Sequence, residues 1–229
     1  MLTIHDARLP EPIIQTLRLS GRCIVFFTTN ITYQAIAGHP DIFFCQTGNS
    51  LIVAPNTPVE YLKILKKNAI PIIKGNTAVG ETLAQATAYN AVITDKYIIH
   101  NRKYTDAAIL AHQKNKEFIH VEQAFCRCSL LSLKNDHFLT SDAGIAKTLT
   151  KHGLFCLCVS SFDIILPPYK HGCIGGCMGI YDNKVFITGS LTHHRDRNLI
   201  KDMLTSLSYE IIELYDGKLY DGGGLFFLP

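Results

Sequence analysis

The feature that most constrains this chain is a repeated pattern of hairpin, helix and strand that runs past both of its ends. From Asp41 it reads as DIFFC, a turn at Thr47-Gly48-Asn49, SLIVAP, an amphipathic helix from Pro58 to Lys67 and an apolar strand at AIPII. It recurs as NAVIT/YIIHN around Asp95-Lys96, a helix near Thr105 to Lys114, and EFIHV. The third copy is CSLLSL/HFLTS around Asn135-Asp136, a helix from Ser141 to Lys151, and GLFCLCV; the fourth is CMGIY/KVFITG around Asp182-Asn183, a helix from Asn198 to Leu207, and YEIIEL. After the fourth copy only GGGLFFLP remains, and the parts it lacks sit at the other end, where LTIHDARLPEPIIQTL offers a strand and a helix and RCIVFF a further strand. Five similar units of roughly 40 to 50 residues, one split between the termini, let each unit bury its apolar face against its neighbours and leave no sheet edge open. The pattern predicts an α/β chain closed as a five-bladed propeller of hairpin-helix-strand repeats, with Leu225 to Leu228 pairing with Leu2 to Ile4. An open α/β sheet is the competing arrangement. It would not require a hairpin before every helix and has no use for a split unit.

Composition agrees and narrows the function. Hydrophobic residues make up 47% and charged residues 18%, which suits strands covered on both faces. No apolar run approaches membrane-span length, and MLTIHDARLP lacks the basic region and apolar core of a signal peptide, so a cytoplasmic setting with no membrane partner is expected. Net charge is +3 with lysines and arginines scattered, too little to suggest nucleic acid. The Lys66-Lys67 pair falls at a helix end, where the dipole favours it.

Eight cysteines raise metal and disulfide readings. The pairs Cys126/Cys128, Cys156/Cys158 and Cys173/Cys177 do not have the doubled spacing of zinc knuckles, so no metal and no cofactor is expected. Cys156 and Cys158 share one face of a strand, which points both toward the core as small apolar groups. Cys173 and Cys177 flank glycines beside His171, in a loop where a thiol would be exposed. His193, His194 and Asp196 read as a solvated loop between arginines. In the helices, Thr57-Pro58-Val59-Glu60 reads as a capping box with proline at the first helical position, Val59, Leu62 and Leu65 as one buried stripe, and Leu199, Ile200, Met203, Leu204 and Leu207 as another.

Chemistry is then expected in the connections from the third strand of one unit to the hairpin of the next: residues 28–40, 75–89, 122–127, 160–176 and 215–224. In a rotational repeat all five emerge at the same end and converge, and binding residues concentrate on loops held by a rigid scaffold. Their polar members, Asp41, Asn90, Arg127, His171 and Asp221, are the candidate lining of an axial pocket. Glycine runs such as Gly175-Gly176 and Gly222-Gly223-Gly224 let backbone approach either a ligand or a neighbouring segment, and the residues alone leave both readings open.

The split five-unit pattern, Pro40-Asp41-Ile42-Phe43-Phe44 at the first full hairpin, the His171-Gly172-Cys173 loop and the final Asp221-Gly222-Gly223-Gly224 together resemble the pentein superfamily of guanidine-modifying enzymes. Dimethylarginine dimethylaminohydrolases, arginine and agmatine deiminases, and amidinotransferases are among its members. The resemblance implies one pentein-like domain over residues 1–229, with a cysteine nucleophile, a histidine acid/base and carboxylates that grip a guanidinium. His171 falls near the place of the family histidine and Asp41 near the first-unit acids, but Cys45 and Gln46 stand where an acidic pair is expected. In agmatine-deiminase-like members the nucleophile follows the terminal glycines by four positions, which here is Leu228, and there is no cysteine after Cys177.

Two functions follow. One is a non-catalytic pentein that binds a small guanidino or amine ligand, or a protein partner, at the central cavity; the ribosome anti-association factor of archaea and eukaryotes, of similar length and also a five-unit ring, is a precedent. The alternative is a hydrolase or transferase acting on guanidino or amide C–N bonds, with catalytic His171 and a displaced thiol, Cys173 or Cys177, and with Asp41, Asn90, Arg127 and Asp221 binding the ligand.

Overall fold

In the computed structural model, which describes residues 1–48 and 50–228, three-stranded sheets of one design follow each other along the chain. Each has a leading strand antiparallel to a middle strand and a trailing strand parallel to it. The four continuous sheets are Phe44–Gln46, Leu51–Val53 and Ile72–Lys74; Val92–Ile93, Tyr97–His100 and Glu117–His120; Leu130–Ser132, His137–Thr140 and Phe155–Cys158; and Met178–Tyr181, Lys184–Ile187 and Glu210–Glu213. The fifth is assembled from both ends: Phe226–Leu228 leads, antiparallel to Leu2–Asp6, which runs parallel to Arg22–Phe26. Leu2 sits opposite Leu228 and Ile4 opposite Phe226, the pairing expected from the split unit. A short parallel ribbon, Ile164–Ile165 with Leu219–Tyr220, ties the fourth connection to the fifth.

Leading strands of successive units touch: Phe44–Gln46 meets Val92–Ile93, which meets Leu130–Ser132, and Met178–Tyr181 meets Phe226–Leu228. Gln46 Nε2 donates to Phe227 O at 2.9 Å, joining the first unit to the split one. The crossover helices pack outside the middle and trailing strands. Glu11–Ser20 buries Ile13, Ile14 and Leu17; Ala143–Lys151 buries Ile145 and Leu149; Arg197–Ser206 buries Ile200, Met203 and Leu204. Phe26 in the split unit is wholly buried, with its ring edge-on to Phe43 and Phe44 at 5.2 and 5.1 Å and tilted over Tyr61 at 4.6 Å. Such aromatic pairs each add about 0.5–1.5 kcal/mol beyond area burial.

Several local expectations need correction. The leading segments DIFFC and CSLLSL do not begin as strands: Pro40–Phe43 and Cys126–Ser129 are single helical turns, and the strands start at Phe44 and Leu130. The Thr57/Glu60 capping box does not form. The helix starts at Val59 with Pro58 at the cap position, so Thr57 lies one residue too early, and its buried hydroxyl has no partner. The capping box that does form joins Thr82 and Gln85. Val59 is exposed while Leu65 is fully buried; six residues turn a helix about 240° past one revolution, so the two cannot share a stripe. Leu199 is likewise exposed at the margin of its stripe. Cys156 packs against the cluster around Ile145 and Leu149, but Cys158 ends a sheet-edge strand and is exposed. His194 is buried rather than solvated, with Nε2 on Ser160 O at 2.9 Å. In the first hairpin turn, Asn49 lies outside the described residues.

No helix among the described residues is long and apolar enough to cross a membrane. Because Phe226 holds the leading strand that the two ends of the chain build together, Phe226→Ala is expected to cost about 3–5 kcal/mol in urea unfolding, against well under 1 kcal/mol for the exposed Phe155→Ala. Equal losses for the two variants would contradict this packing.

Candidate functional site

All five connections reach one cavity of about 410 Å³. Tyr33, Ile36 and His39 come from the first connection, Leu83 from the second, Gln123 and Phe125 from the third, Leu166, Tyr169 and Cys173 from the fourth, and Asp221 from the fifth; Cys128 and Ser129 complete the lining. A second cavity, about 140 Å³, is lined by residues of every leading strand, among them Gln46, Ile93, Ser132, Ile180 and Phe226. Arg127 lines that second cavity and not the larger one.

The floor of the larger cavity rests on buried charge. Pro40 fixes the first turn of a short helix, and the residue before it, His39, is thereby held extended with its side chain turned inward. His39 is 1% exposed, its Nε2 lies 3.8 Å from Asp6 Oδ2, and burial lowers its pKa against the opposing pull of Asp221 and Asp6, so the imidazole is neutral at pH 7. Asp6 is held by Arg8, whose guanidinium also reaches the carbonyls of Gln34 and Ala35. Asp221 accepts hydrogen bonds from the backbone N–H of Cys173 (2.8 Å) and of Gly223 (3.0 Å), and burial raises its pKa.

Asp41 lies beneath this surface and is fully buried. Neither carboxylate oxygen has a hydrogen-bond partner, although the Cys128 thiol, the Asn90 amide and the Arg127 charge are close enough to moderate its charge. Burial is the larger effect and pushes its pKa up to about 6. Asn90 fastens three units together: Nδ2 donates to Asp41 O at 3.2 Å, Oδ1 accepts from Cys128 N at 3.2 Å, and its carbonyl accepts from Arg127 N at 2.9 Å. Arg127 donates to Gly175 O at 2.8 Å and Met178 O at 3.3 Å and lies over the Phe226 ring.

The open question of the glycines is answered here: they admit neighbours. A Cβ on Gly176 would fall 1.9 Å from Asp221 Oδ1, and one on Gly172 2.6 Å from Asp221 Cβ. Gly223, with φ +70°, leaves room for His39, and Gly224, with φ +81°, for the Arg127 guanidinium.

The sequence candidates are thus dispersed. Asp221 and Cys173 line the larger cavity, Asp41 and Asn90 lie buried behind it, and Arg127 faces the second cavity. His171 is outside both linings, its ring stacked on Phe162 at 4.3 Å. Cys177 is fully buried, with its thiol on Cys173 O at 3.3 Å. Burial pushes the Cys173 thiol up to about 12 and also raises those of Cys128 and Cys177 well above the ordinary thiol value, with the nearby carboxylates adding to the effect. His39 and Cys128 are not among the site residues expected from sequence. The signal for His39 was its place just before Pro40 in a connection, whereas nothing local distinguishes Cys128 from other core cysteines. Among the described residues no group of three or more His, Cys, Asp or Glu side chains is arranged to hold a metal ion.

Comparison with known proteins places the chain in a family. The family model for DUF6873, a family of unknown function, matches residues 4–226. The chain belongs to this family. No curated protein sequence matches it. Among solved structures it is similar to a dimethylarginine dimethylaminohydrolase adduct with 4-chloro-2-hydroxymethylpyridine (TM-score 0.57, 10% identity, 93% of this chain and 91% of that one). It is also similar to agmatine deiminase of C. jejuni (0.58, 9%, 93% and 87%) and to SxtG, an amidinotransferase of Microseira wollei (0.54, 11%, 94% and 88%). These neighbours belong to the pentein superfamily, and at such identities the likeness is one of fold.

Two outcomes test this description. Asp41 has a folded pKa near 6 against an ordinary 3.8, so its contribution to stability is complete below about pH 4 and is lost as pH rises through 6, amounting to about 3 kcal/mol. Asp41→Asn should therefore gain on the wild type in unfolding free energy between pH 4 and pH 7; a pH-independent difference would place the carboxylate in water. In alkylation followed by mass spectrometry of the folded protein, Cys158 should label first and Cys128 and Cys177 last.

Proposed function

We propose that residues 1–229 form one pentein-like domain whose five units are the blades of a closed α/β propeller, and that the axial pocket binds a small cationic ligand, a guanidino compound or an amine, without cleaving it. The observation that carries this reading is the pair of buried carboxylates, Asp221 in the lining and Asp41 behind it with no hydrogen-bond partner, at the point where all five connections meet. Buried carboxylates are kept ionised by a cation, and with the Arg127 guanidinium offsetting Asp41, the two carboxylates carry charge left over for a monocation. The guanidine chemistry of the structural neighbours, which include an agmatine deiminase and a dimethylarginine dimethylaminohydrolase, supports the same ligand class. A cytoplasmic setting accords with eight free cysteines.

Absence of cleavage is supported by the thiols. Leu228, at the position where the resemblance implies a nucleophile, is 4% exposed and paired with Leu2 in a sheet. Cys173 lines the pocket, but burial and Asp221 hold it as a thiol, and a thiol is a poor nucleophile. The enzymatic alternative, a guanidino or amide hydrolase or transferase using Cys173 or Cys177 with His171, draws its support from the place of Cys173 in the lining.

Calorimetric titration against a panel of amines and guanidines decides the matter. At least one should bind at pH 7.5, with affinity reduced about tenfold or more in Asp221→Asn and falling as pH drops below about 6, where Asp41 takes up a proton. Turnover of the panel that disappears in His171→Ala and in either Cys173→Ser or Cys177→Ser would establish the enzyme instead.

A further inference from the structure

We propose that the pocket is shaped for a monocation carried on a flat apolar body, an arylalkyl amine or arylalkyl guanidine, and that it discriminates against amino acids bearing the same side chain; this rests on the cation-binding reading above. The walls are largely apolar: Ile36, Leu83, Phe125 and Leu166 enclose the space, with the rings of Tyr33 and Tyr169 at its edge. Tyr33, Leu83 and Tyr169 are 38%, 44% and 55% exposed, so each presents an uncovered apolar face beside an acidic floor. A volume of about 410 Å³ is far more than a guanidinium group fills, and the surplus is hydrophobic.

Discrimination against an amino acid follows from the lack of a cationic side chain to receive its α-carboxylate. No lysine or arginine is among the lining residues. The guanidinium groups that act on Asp41 and His39 are committed elsewhere, Arg127 to Gly175 O and Met178 O beside the other cavity, and Arg8 to Asp6 and the carbonyls of Gln34 and Ala35. Three loop amides are also occupied, since Cys173 N and Gly223 N both donate to Asp221, and Ile174 N donates to Ser141 Oγ. A carboxylate brought into this pocket would lose part of its water and meet Asp221 with no lysine or arginine in the lining to offset its charge.

The test is calorimetric titration of the full chain at pH 7.5 with phenethylamine, L-phenylalanine and agmatine, for the wild type, for Asp221→Asn and for Tyr33→Ala/Tyr169→Ala. The tyrosines stand at the rim, so the double variant should keep its thermal melting point. Phenethylamine should bind about tenfold or more tighter than both L-phenylalanine and agmatine, and the double tyrosine variant should lose that advantage over agmatine while Asp221→Asn weakens both amines. Agmatine binding best, or L-phenylalanine binding as well as phenethylamine, would overturn the inference while leaving the cation site in place. No binding by any of the three would remove the cation site as well.

Discussion

The pairing of Phe226–Leu228 with Leu2–Ile4 is the contact on which the end of the molecule that holds the larger cavity depends. It completes the fifth sheet and also sets the last connection beside the first strand. Asp6, at the end of that strand, and Asp221, just before the closing strand, come from opposite ends of the sequence, yet both act on the His39 imidazole. Without that pairing the floor of the larger cavity would lose one of its sides. The cost of closing so long a loop grows only slowly with length, so modest pairing suffices once the intervening units are stacked.

Burying carboxylates is expensive, and the structure shows how the expense is contained. Asp6 is paired with Arg8, and Asp221 is given two backbone N–H donors. Asp41 alone lacks hydrogen bonds, and its proton affinity rises accordingly. The glycines around these groups allow this arrangement: Gly172, Gly176 and Gly223 bring backbone against Asp221 and His39 at distances no side chain would permit. Rigid loops of this kind hold a fixed pattern of charge, and the same burial that keeps carboxylates in place keeps the neighbouring thiols protonated.

Much of the architecture was legible because it is periodic. Alternation and turn residues marked each hairpin, helical spacing marked the crossovers, and the incomplete units at the two ends marked the pairing of the termini. Local detail was less legible where two signals compete. Pro40 and Asp41 open a helical turn although Ile42, Phe43 and Phe44 read as a strand, because proline fixes the backbone for a first turn. The expected cap at Thr57 failed for a related reason, since Pro58 takes the cap position and shifts the helix start. Of the site, the convergence of the five connections was readable from the repeat, and so were Asp221 as a polar member of the fifth and Cys173 as a loop thiol of the fourth.

The sequence by itself determined the order of elements, the repeat, the joined ends and the set of segments that meet, because these follow from patterns a few residues long repeated along the chain. Only the tertiary structure decided which side chains share a space. His171 turns aside to stack on Phe162, Arg127 faces the other cavity, and His39 and Cys128 enter the larger one. Which way a loop side chain points is set by contacts with residues tens to hundreds of positions away, such as Gly223 against His39 and Gly224 against Arg127, and no local pattern encodes contacts at that distance.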